Sequence, residues 1–391
     1  MRAFVVFILL ISTGGKCQVL ERLLFADTSE IVRKVLADTA TYRLQIILTE
    51  VEEKNSFFSP YHPKLVTSTF RNKPAEYFFP ASLVKLPVAA FALEKINDLR
   101  VYGISETSPF VPLSDFQCQG NAKATPLSVK DLVYKVFVYS DNQAFNYLYE
   151  LCGQQYIQDR LQEMGYSKAR IVEKIARCDG TGNRITGPIA FYNPEQHLIH
   201  IEGRQAAPMA APLAVNAKVG KGYLWNGKYI ASPKDFSNSN FIPLQDLHQI
   251  LLSLVLPKEV EKNKQFHLSE DQRDELLEAM RTLPSQYFTD STQKVPYKDN
   301  YAKYIMGSAD TIPKDWRIYN KVGLAHGFIS DCMYLEDDRQ KLRFFLSAVL
   351  YVNQDGVLND GKYEYTTVGL PFLRRLGQIV YAHTLSKKNG R

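Results

Sequence analysis

The 391-residue sequence predicts an α+β fold, an antiparallel sheet that is flanked by helices and carries an inserted all-helical lobe. Two observations predict it. Strand-like segments lie near both ends of the chain, and a long block of helical periodicity separates them. A last helical segment follows the final strand. Strands and helices that occur in separate runs along the chain are typical of this fold class.

Strand character comes first along the chain. β-branched and apolar residues run from Thr41 to Glu53, and Leu65–Phe70 and Ala75–Phe79 indicate a second strand with a break in it. A proline ends this strand. From Ser82 to Ile96 apolar residues recur every three or four positions, which predicts an amphipathic helix. Pro87 within it predicts a kink or a shifted first turn.

The middle of the chain is mostly helical, and its end returns to strands. Helices are expected at Val129–Phe137, Gln143–Leu151, Tyr156–Met164, Leu244–Leu256, Asp271–Arg281 and Thr366–His383, and strands at Arg317–Val322, Ile329–Glu336 and Leu342–Val352. Residues 178–240 fit neither period and include a hairpin signal at Trp225-Asn226-Gly227. We expect a sheet lobe from about residues 40–80 and 315–391, and a helical lobe from about 81–314.

The first residues have the layout of a secretory signal peptide. A short positive start precedes the apolar run Ala3–Ile11, and small residues follow it. The run is shorter than the roughly 20 residues that span a bilayer. We therefore expect export to the periplasm or the medium, with residues 1–17 removed and residues 18–391 forming the mature domain. A lipid anchor at Cys17 is the alternative, and it would be the only reason to expect membrane attachment.

Composition limits the class of partner. The chain is 45% hydrophobic and 23% charged, as in an ordinary globular protein, and its net charge of +6 comes from scattered Lys and Arg rather than from a basic tract. We expect a small-molecule substrate and no nucleic-acid partner. The charge would at most favour anionic ligands or surfaces.

Four cysteines, Cys118, Cys152, Cys178 and Cys332, follow the predicted signal. An even number in an exported chain suits one or two disulfides, and four buried thiols are an equal alternative. Cysteine and histidine lack the spacing of a zinc site, so we expect no structural metal. The sequence suggests no cofactor.

A serine followed three residues later by a lysine is the first candidate for chemistry. Ser82 and Lys85 would lie on one face of the predicted helix, where an amine of depressed pKa can take the hydroxyl proton. The free N–H groups of a helix start would also favour negative charge there. Ser291–Lys294 repeats the pattern in a polar segment without helical periodicity, and we interpret it as chance.

Two further short motifs follow in order. Ser140-Asp141-Asn142 falls at a break between two helices, and Lys321-Val322-Gly323 lies on a late strand. Alone, the first is an ordinary turn and helix cap, and the second is a strand-end lysine beside a turn glycine. Together with Ser82 and Lys85 they resemble the set S-x-x-K, S-D-N and K-T-G of class A β-lactamases and penicillin-binding proteins. The order and spacing make the set more specific than any one of its members.

On these residues the chain resembles the class A β-lactamase family, roughly from residue 40 to 385. The resemblance rests on the stretches 80–87 (PASLVKLP), 139–142 (YSDN) and 327–332 (GFISDC). It implies that Ser82 forms an acyl-enzyme, that Lys85 helps to activate it, and that Ser140 passes a proton to the lactam nitrogen.

The resemblance also implies a substrate-binding set. Asn142 would bind the substrate amide, and Lys321 would attract its carboxylate. Gly323 would let the substrate approach the strand. The backbone N–H groups of Ser82 and Leu324 would form the oxyanion hole.

Two departures from the family pattern bear on function. Val322 stands where the family has a hydroxyl residue, and the family's deacylating glutamate motif is missing. Glu173, Asp179 and Glu195 lie in the right region, but each is read as an ordinary surface or turn carboxylate. A cell-wall peptidase or esterase on the same scaffold, and a protein that binds β-lactams or peptidoglycan without turning them over, therefore stay open as alternatives.

Overall fold

The computed structural model describes residues 18–52, 62–112, 127–175, 183–208, 213, 215–290, 297–307 and 312–390. The predicted signal peptide with Cys17, both Cys118 and Cys178, Asp179, and the repeat Ser291–Lys294 lie outside the described residues. Within them, no helix is both long enough and apolar enough to cross a membrane.

Ten α-helices are described. They are α1 Gln18–Ala26, α2 Glu30–Ala37, α3 Lys85–Leu99, α4 Val129–Val138, α5 Asn142–Cys152, α6 Gln154–Glu163, α7 Leu244–Val255, α8 Glu270–Arg281, α9 Pro284–Tyr287 and α10 Leu370–Asn389. Single 3₁₀ turns occupy Ala81–Val84, Arg100–Tyr102, Pro257–Glu259 and Lys262–Lys264, and a π turn at Tyr365–Gly369 leads into α10. The helices expected from periodicity are confirmed within a few residues, whereas α1 and α2 were not predicted.

Fifteen strands are described. They are β1 Gln45–Glu52, β2 Lys64–Phe70, β3 Phe110–Pro112, β4 Ile185–Thr186, β5 Ile189–Tyr192, β6 Leu198–Ile201, β7 Arg204–Gln205, β8 Lys218–Val219, β9 Gly222–Trp225, β10 Lys228–Ile230, β11 Lys234–Asp235, β12 Trp316–Ala325, β13 Phe328–Asp337, β14 Leu342–Tyr351 and β15 Val357–Leu358. The hairpin signal at residues 225–227 is confirmed as the β9–β10 turn, where Asn226 and Gly227 both have positive φ.

The main sheet has five antiparallel strands in the order β12-β13-β14-β1-β2. Strand β1, near the start of the chain, pairs with β14, near its end, and Ile47 lies opposite Ser347. The predicted α+β class with an antiparallel sheet is therefore confirmed. In this order β12, which carries Lys321, is an edge strand of the main sheet.

One predicted strand segment is wrong. Residues 75–79 form a turn and irregular backbone instead of continuing β2. Pro74 and Pro80 bracket the segment and remove two ladder donors. Its polar groups are satisfied locally, because Glu76 N–H donates to Lys73 O and Arg43 donates to Tyr77 O. The composition favoured a strand, whereas the two flanking prolines favour the turn and irregular backbone that the structure has.

Both faces of the main sheet are buried. On one face α1, α2 and α10 pack on side chains such as Ile46 and Leu346, and on the other face α7 packs around Ile47 and Phe345. Burial on both sides explains why the strands read as nearly continuous apolar runs. Helix α7 falls in the range assigned to the helical lobe, yet it contacts the sheet through His248, which bonds to Thr49 and Ser347.

The prediction of an all-helical lobe is wrong, because short strands β3–β11 lie within residues 81–314. The helical part of this region is built around α3. All residues from Lys85 to Glu94 are buried, so this helix is enclosed on every side rather than amphipathic as predicted. It packs against α4, α5, α6 and α8. Pro87 lies in its first turn, where a proline is tolerated, and the turn before it is 3₁₀.

Candidate functional site

Ser82 lies in the 3₁₀ turn Ala81–Val84 that immediately precedes α3. Ala81 has a positive φ of 47°, and Leu83 N–H bonds to Pro80 O, so the backbone turns sharply as it enters the helix. Ala81 and Leu83 are buried, whereas Ser82 is partly exposed. The turn therefore presents one hydroxyl to solvent between two buried neighbours.

Lys85, the first residue of α3, is completely buried. Its Nζ donates to the backbone oxygen of Ser140, to Ser140 Oγ at 3.2 Å and to Asn142 Oδ1 at 2.7 Å. Burial lowers the pKa of Lys85 to about 7, and the Asp141 carboxylate opposes this shift. The amine is therefore available as a base near neutral pH.

The segment Ser140-Asp141-Asn142 joins α4 to α5. Asp141 caps α5 by accepting from Ala144 N–H at 2.6 Å. This confirms that the tripeptide serves as a helix cap. Ser140 has a positive φ of 61°. The left-handed backbone at Ser140 and the capped helix start fix the loop on which Ser140 and Asn142 both reach Lys85.

Lys321 is the second buried amine at Ser140. Its Nζ donates to Ser140 Oγ at 2.9 Å and to Val322 O at 3.2 Å. Burial and then the charge of Lys85 hold the pKa of Lys321 well below its usual range, against the attraction of Asp331. Because both amines reach the same hydroxyl, a proton on one disfavours a proton on the other.

Gly323 allows β12 to approach the Ser82 turn. A Cβ at this position would lie 2.5 Å from Pro80 O, 2.7 Å from Ser330 Oγ and 3.1 Å from Leu83 Cγ. Only a residue without a side chain fits there without moving the strand. The next residue, Leu324, is 40% exposed. The structure thus brings the strand that carries Lys321 and Leu324 against the turn that carries Ser82.

Two of the three carboxylates considered as deacylating bases, Glu173 and Glu195, are described. Glu173 accepts from Ser239 Oγ at 3.2 Å, and burial raises its pKa. Glu195 is exposed in the β5–β6 turn. Among the described residues, neither carboxylate has a hydrogen bond or ion pair with Ser82 or with the two lysines.

Helix α5 holds the following loop by a row of polar residues that the sequence analysis missed. Asn146 lies one turn beyond Asn142, and its amide exchanges two hydrogen bonds of 2.9 Å with the backbone of Ile175. One turn further, buried Glu150 pairs with Lys174 and accepts from Gly187 N–H at 2.8 Å. The spacing of 142, 146 and 150 on one face of an otherwise apolar helix was the available signal.

A second missed network lies behind Lys321. Buried Lys303 donates to Asn320 Oδ1 at 2.6 Å, and Asn320 donates to Asp331 Oδ1 at 2.8 Å. Burial lowers the pKa of Lys303 to about 7 and raises that of Asp331 to about 6. Because Asn320 directly precedes Lys321 on β12, this network supports the strand at the site.

The remaining predicted features have structural places. His326 occupies the β12–β13 turn with a positive φ of 52° and bonds to Asn359. Cys152 and Cys332 are buried free thiols, so the disulfide alternative does not apply to them. In the described part of the chain, no group of three or more His, Cys, Asp or Glu side chains could hold a metal ion.

Residues 61–200 match the model of the Beta-lactamase2 family, described as the beta-lactamase enzyme family. This range includes Ser82, Lys85, Ser140 and Asn142 but ends before Lys321. A comparison with curated protein sequences found no match.

Solved structures with the same fold include three β-lactamases. One from Xanthomonas campestris pv. campestris is 15% identical with a TM-score of 0.51, and the match covers 92% of this chain and 97% of the β-lactamase chain. One from Desulfarculus baarsii is 13% identical with a TM-score of 0.51, covering 94% and 97%. One from Burkholderia vietnamiensis is 12% identical with a TM-score of 0.51, covering 93% and 97%.

Identities this low establish a shared fold and leave the substrate open. The family match includes Ser140 and Lys85, one of the two lysines that bond to the Ser140 hydroxyl. The chain thus shares its α+β fold with these β-lactamases, and residues 61–200 are similar to the beta-lactamase enzyme family.

Proposed function

We propose that this protein is an exported serine hydrolase that β-lactams acylate at Ser82. The observation that carries the proposal is the Ser140 hydroxyl, which lies 3.2 Å from the Lys85 amine and 2.9 Å from the Lys321 amine. A hydroxyl between two amines of depressed pKa is suited to passing a proton onward. The partly exposed Ser82 lies in the 3₁₀ turn that leads into α3, whose first residue is Lys85.

Acylation would proceed in balanced steps. The neutral Lys85 amine takes the Ser82 hydroxyl proton as Ser82 Oγ forms a bond to the lactam carbonyl carbon. The N–H groups of Ser82 and Leu324 stabilise the resulting oxyanion. When the carbon–nitrogen bond breaks, the leaving nitrogen receives the Ser140 proton, and Ser140 is reprotonated by Lys85.

Substrate binding follows from the same groups. Asn142 Oδ1 is occupied by Lys85, so its amide NH₂ is the end that can donate to a substrate carbonyl. The protonated form of Lys321 would attract a carboxylate, and a bound carboxylate would in turn favour that form. Val322 offers no hydroxyl, so the carboxylate would be held by charge with little directional bonding.

Mass spectrometry after addition of penicillin tests the proposal. We expect the intact-protein mass to rise by one penicillin, with the adduct on Ser82 and none in Ser82→Ala. A chromogenic cephalosporin assayed in parallel measures turnover. Unmodified Ser82 under these conditions would refute acylation by β-lactams and leave an esterase or a non-catalytic role.

A binding protein that is acylated and turns over very slowly is the second candidate. The residue that Asn146 holds on the α5 face is Ile175, which has no group to activate water. A stable adduct without colour in the chromogenic assay would support this candidate over a β-lactamase.

Export rests on the N-terminal pattern of residues 1–17. Sequencing the N terminus of protein recovered outside the cytoplasm tests it. A start near Gln18 is expected, and an intact Met1 would contradict export by a cleaved signal.

A further inference from the structure

A cluster of aromatic side chains adjoins the Ser140 end of the candidate site. Tyr297 stacks on Tyr139 with ring centroids 5.4 Å apart and planes 9° apart, and Tyr301 packs on Tyr297 at 4.5 Å. Phe288 packs on Tyr139 at 5.5 Å, and Tyr287 does so at 6.0 Å. Tyr301 remains 46% exposed. We call these five residues the aromatic cluster.

Two separate anchors fix this cluster beside the site. Tyr139 directly precedes Ser140, so the rings stacked on it border the loop whose hydroxyl meets both lysines. Ala302 O, next to Tyr301, accepts from Asn320 Nδ2 at 2.8 Å, and Asn320 directly precedes Lys321. The segment Tyr297–Gly307 therefore contacts Tyr139 and Asn320. These residues directly precede Ser140 and Lys321, the two partners of the hydrogen bond at the site.

The segment is held rigidly on its inner side. Buried Lys303 donates to Met280 O at 2.7 Å, to Ile318 O at 3.0 Å and to Asn320 Oδ1 at 2.6 Å. A Cβ on Gly307 would lie 2.1 Å from Lys303 O, so the chain folds back tightly on itself there. With the backbone fixed in this way, the tyrosines form a preorganised surface.

We propose that the aromatic cluster is the subsite for the leaving-group side of the substrate, and that it takes an aromatic ring. This rests on the proposed acylation at Ser82. The atom that leaves must come within hydrogen-bond reach of Ser140 Oγ, so the fragment attached to it lies at the Ser140–Lys321 end of the site. Planar rings stack on tyrosine faces in offset or edge-to-face geometry, and the exposed Tyr301 ring offers such a face.

Paired substrates test the subsite. Two cephalosporins with the same acylamido side chain are compared, one carrying an aryl group and the other a methyl group on the six-membered ring. The acylation rate constant of each at low concentration gives a preference ratio. We expect wild-type protein to prefer the aryl compound, Tyr301→Leu to lower the ratio by roughly two- to tenfold, and Tyr301→Phe to keep it.

Tyr229→Leu is the matched control, because Tyr229 is 54% exposed and lies on the β9–β10 hairpin. It should leave the ratio unchanged, and the methyl compound should acylate the control and Tyr301→Leu alike. An unchanged ratio in both Tyr301→Leu and Tyr297→Leu, with Ser82 still acylated, overturns the subsite while leaving acylation intact.

If neither compound modifies Ser82, acylation itself fails, and the subsite is then measured by calorimetry. The ring-opened forms of the two cephalosporins replace the reactive ones. Tighter binding of the aryl form that Tyr301→Leu abolishes would support the subsite. Equal binding of the two forms to wild-type protein would refute it.

Discussion

The two sides of the candidate site differ in chemistry. Around Ser140, two buried amines converge on one hydroxyl, and burial shifts the pKa values of both amines downward. On the other side, which we call the loop side, Asn146 of α5 makes two hydrogen bonds of 2.9 Å to the backbone of Ile175. The residue held there is aliphatic. In the proposed mechanism, acylation would depend on the Ser140 side, where the two amines meet the hydroxyl. Ile175 on the loop side has no group that could activate water for release of the acyl group.

Removing the base from the acylation side should have the largest effect. Lys85→Met keeps the length and apolar stem of the side chain but removes the amine. We expect the rate constant of acylation at Ser82 to fall by about 10²–10⁴, the usual contribution of a positioned general base. Time-resolved mass spectrometry measures it. Circular dichroism and the melting temperature should show a folded variant. Near-normal acylation would show that a group other than Lys85 acts as the base.

Adding a base to the loop side should have the next largest effect. Ile175→Glu would place a carboxylate on the residue that Asn146 holds, and we expect deacylation to accelerate by about 10² if it can activate a water. The chromogenic assay and the lifetime of the adduct measure it. Ile175→Gln is the matched control, since it has the same shape without the charge. Equal lifetimes in the two variants would show that this position does not face the acyl group.

The pH profile sharpens the contrast further. The neutral form of Lys85 is the reactive one, and its pKa is about 7. Acylation should therefore rise about tenfold per pH unit below that value and level off above it. Stopped-flow measurements from pH 5 to 9 would show this. The residual acylation of a Lys85→Met variant should not show this change of slope near pH 7. A flat profile for the wild-type protein would mean that another group takes the Ser82 proton.

The sequence was informative about the acylation side because its residues come in short motifs. Ser82 with Lys85, Ser140 with Asn142, and Lys321 with Gly323 are each local pairs, so their types and order carry information before folding. The loop side depends on contacts across about thirty residues, such as Asn146 with Ile175, which spacing alone does not specify. The aromatic cluster could not be predicted from the sequence, because Tyr139 and Tyr297 are distant along the chain and stack only after folding.

The fold shows the same division. Strands β12, β13 and β14 were predicted because long apolar runs are a local property, whereas α1 and α2 went unnoticed next to the predicted signal. The segment 75–79 was misassigned because apolar composition was weighted above the two flanking prolines. The depressed pKa values of Lys85 and Lys321 required knowledge of burial, which a sequence pattern does not supply.

The smallest effect should follow from loosening the loop side. Asn146→Ala removes two side-chain hydrogen bonds to the partly buried backbone of Ile175, and we expect about 1–3 kcal/mol less free energy of unfolding. Urea denaturation measures the loss, and Asn193→Ala, which removes one bond in an exposed turn, should cost less. Acylation at Ser82 should change little, because among the described residues the hydrogen bonds of the Asn146 side chain are with Ile175 and not with Lys85 or Ser140. A large fall in acylation with normal stability would mean that the two sides are coupled through α5, and the separation drawn between them would be wrong.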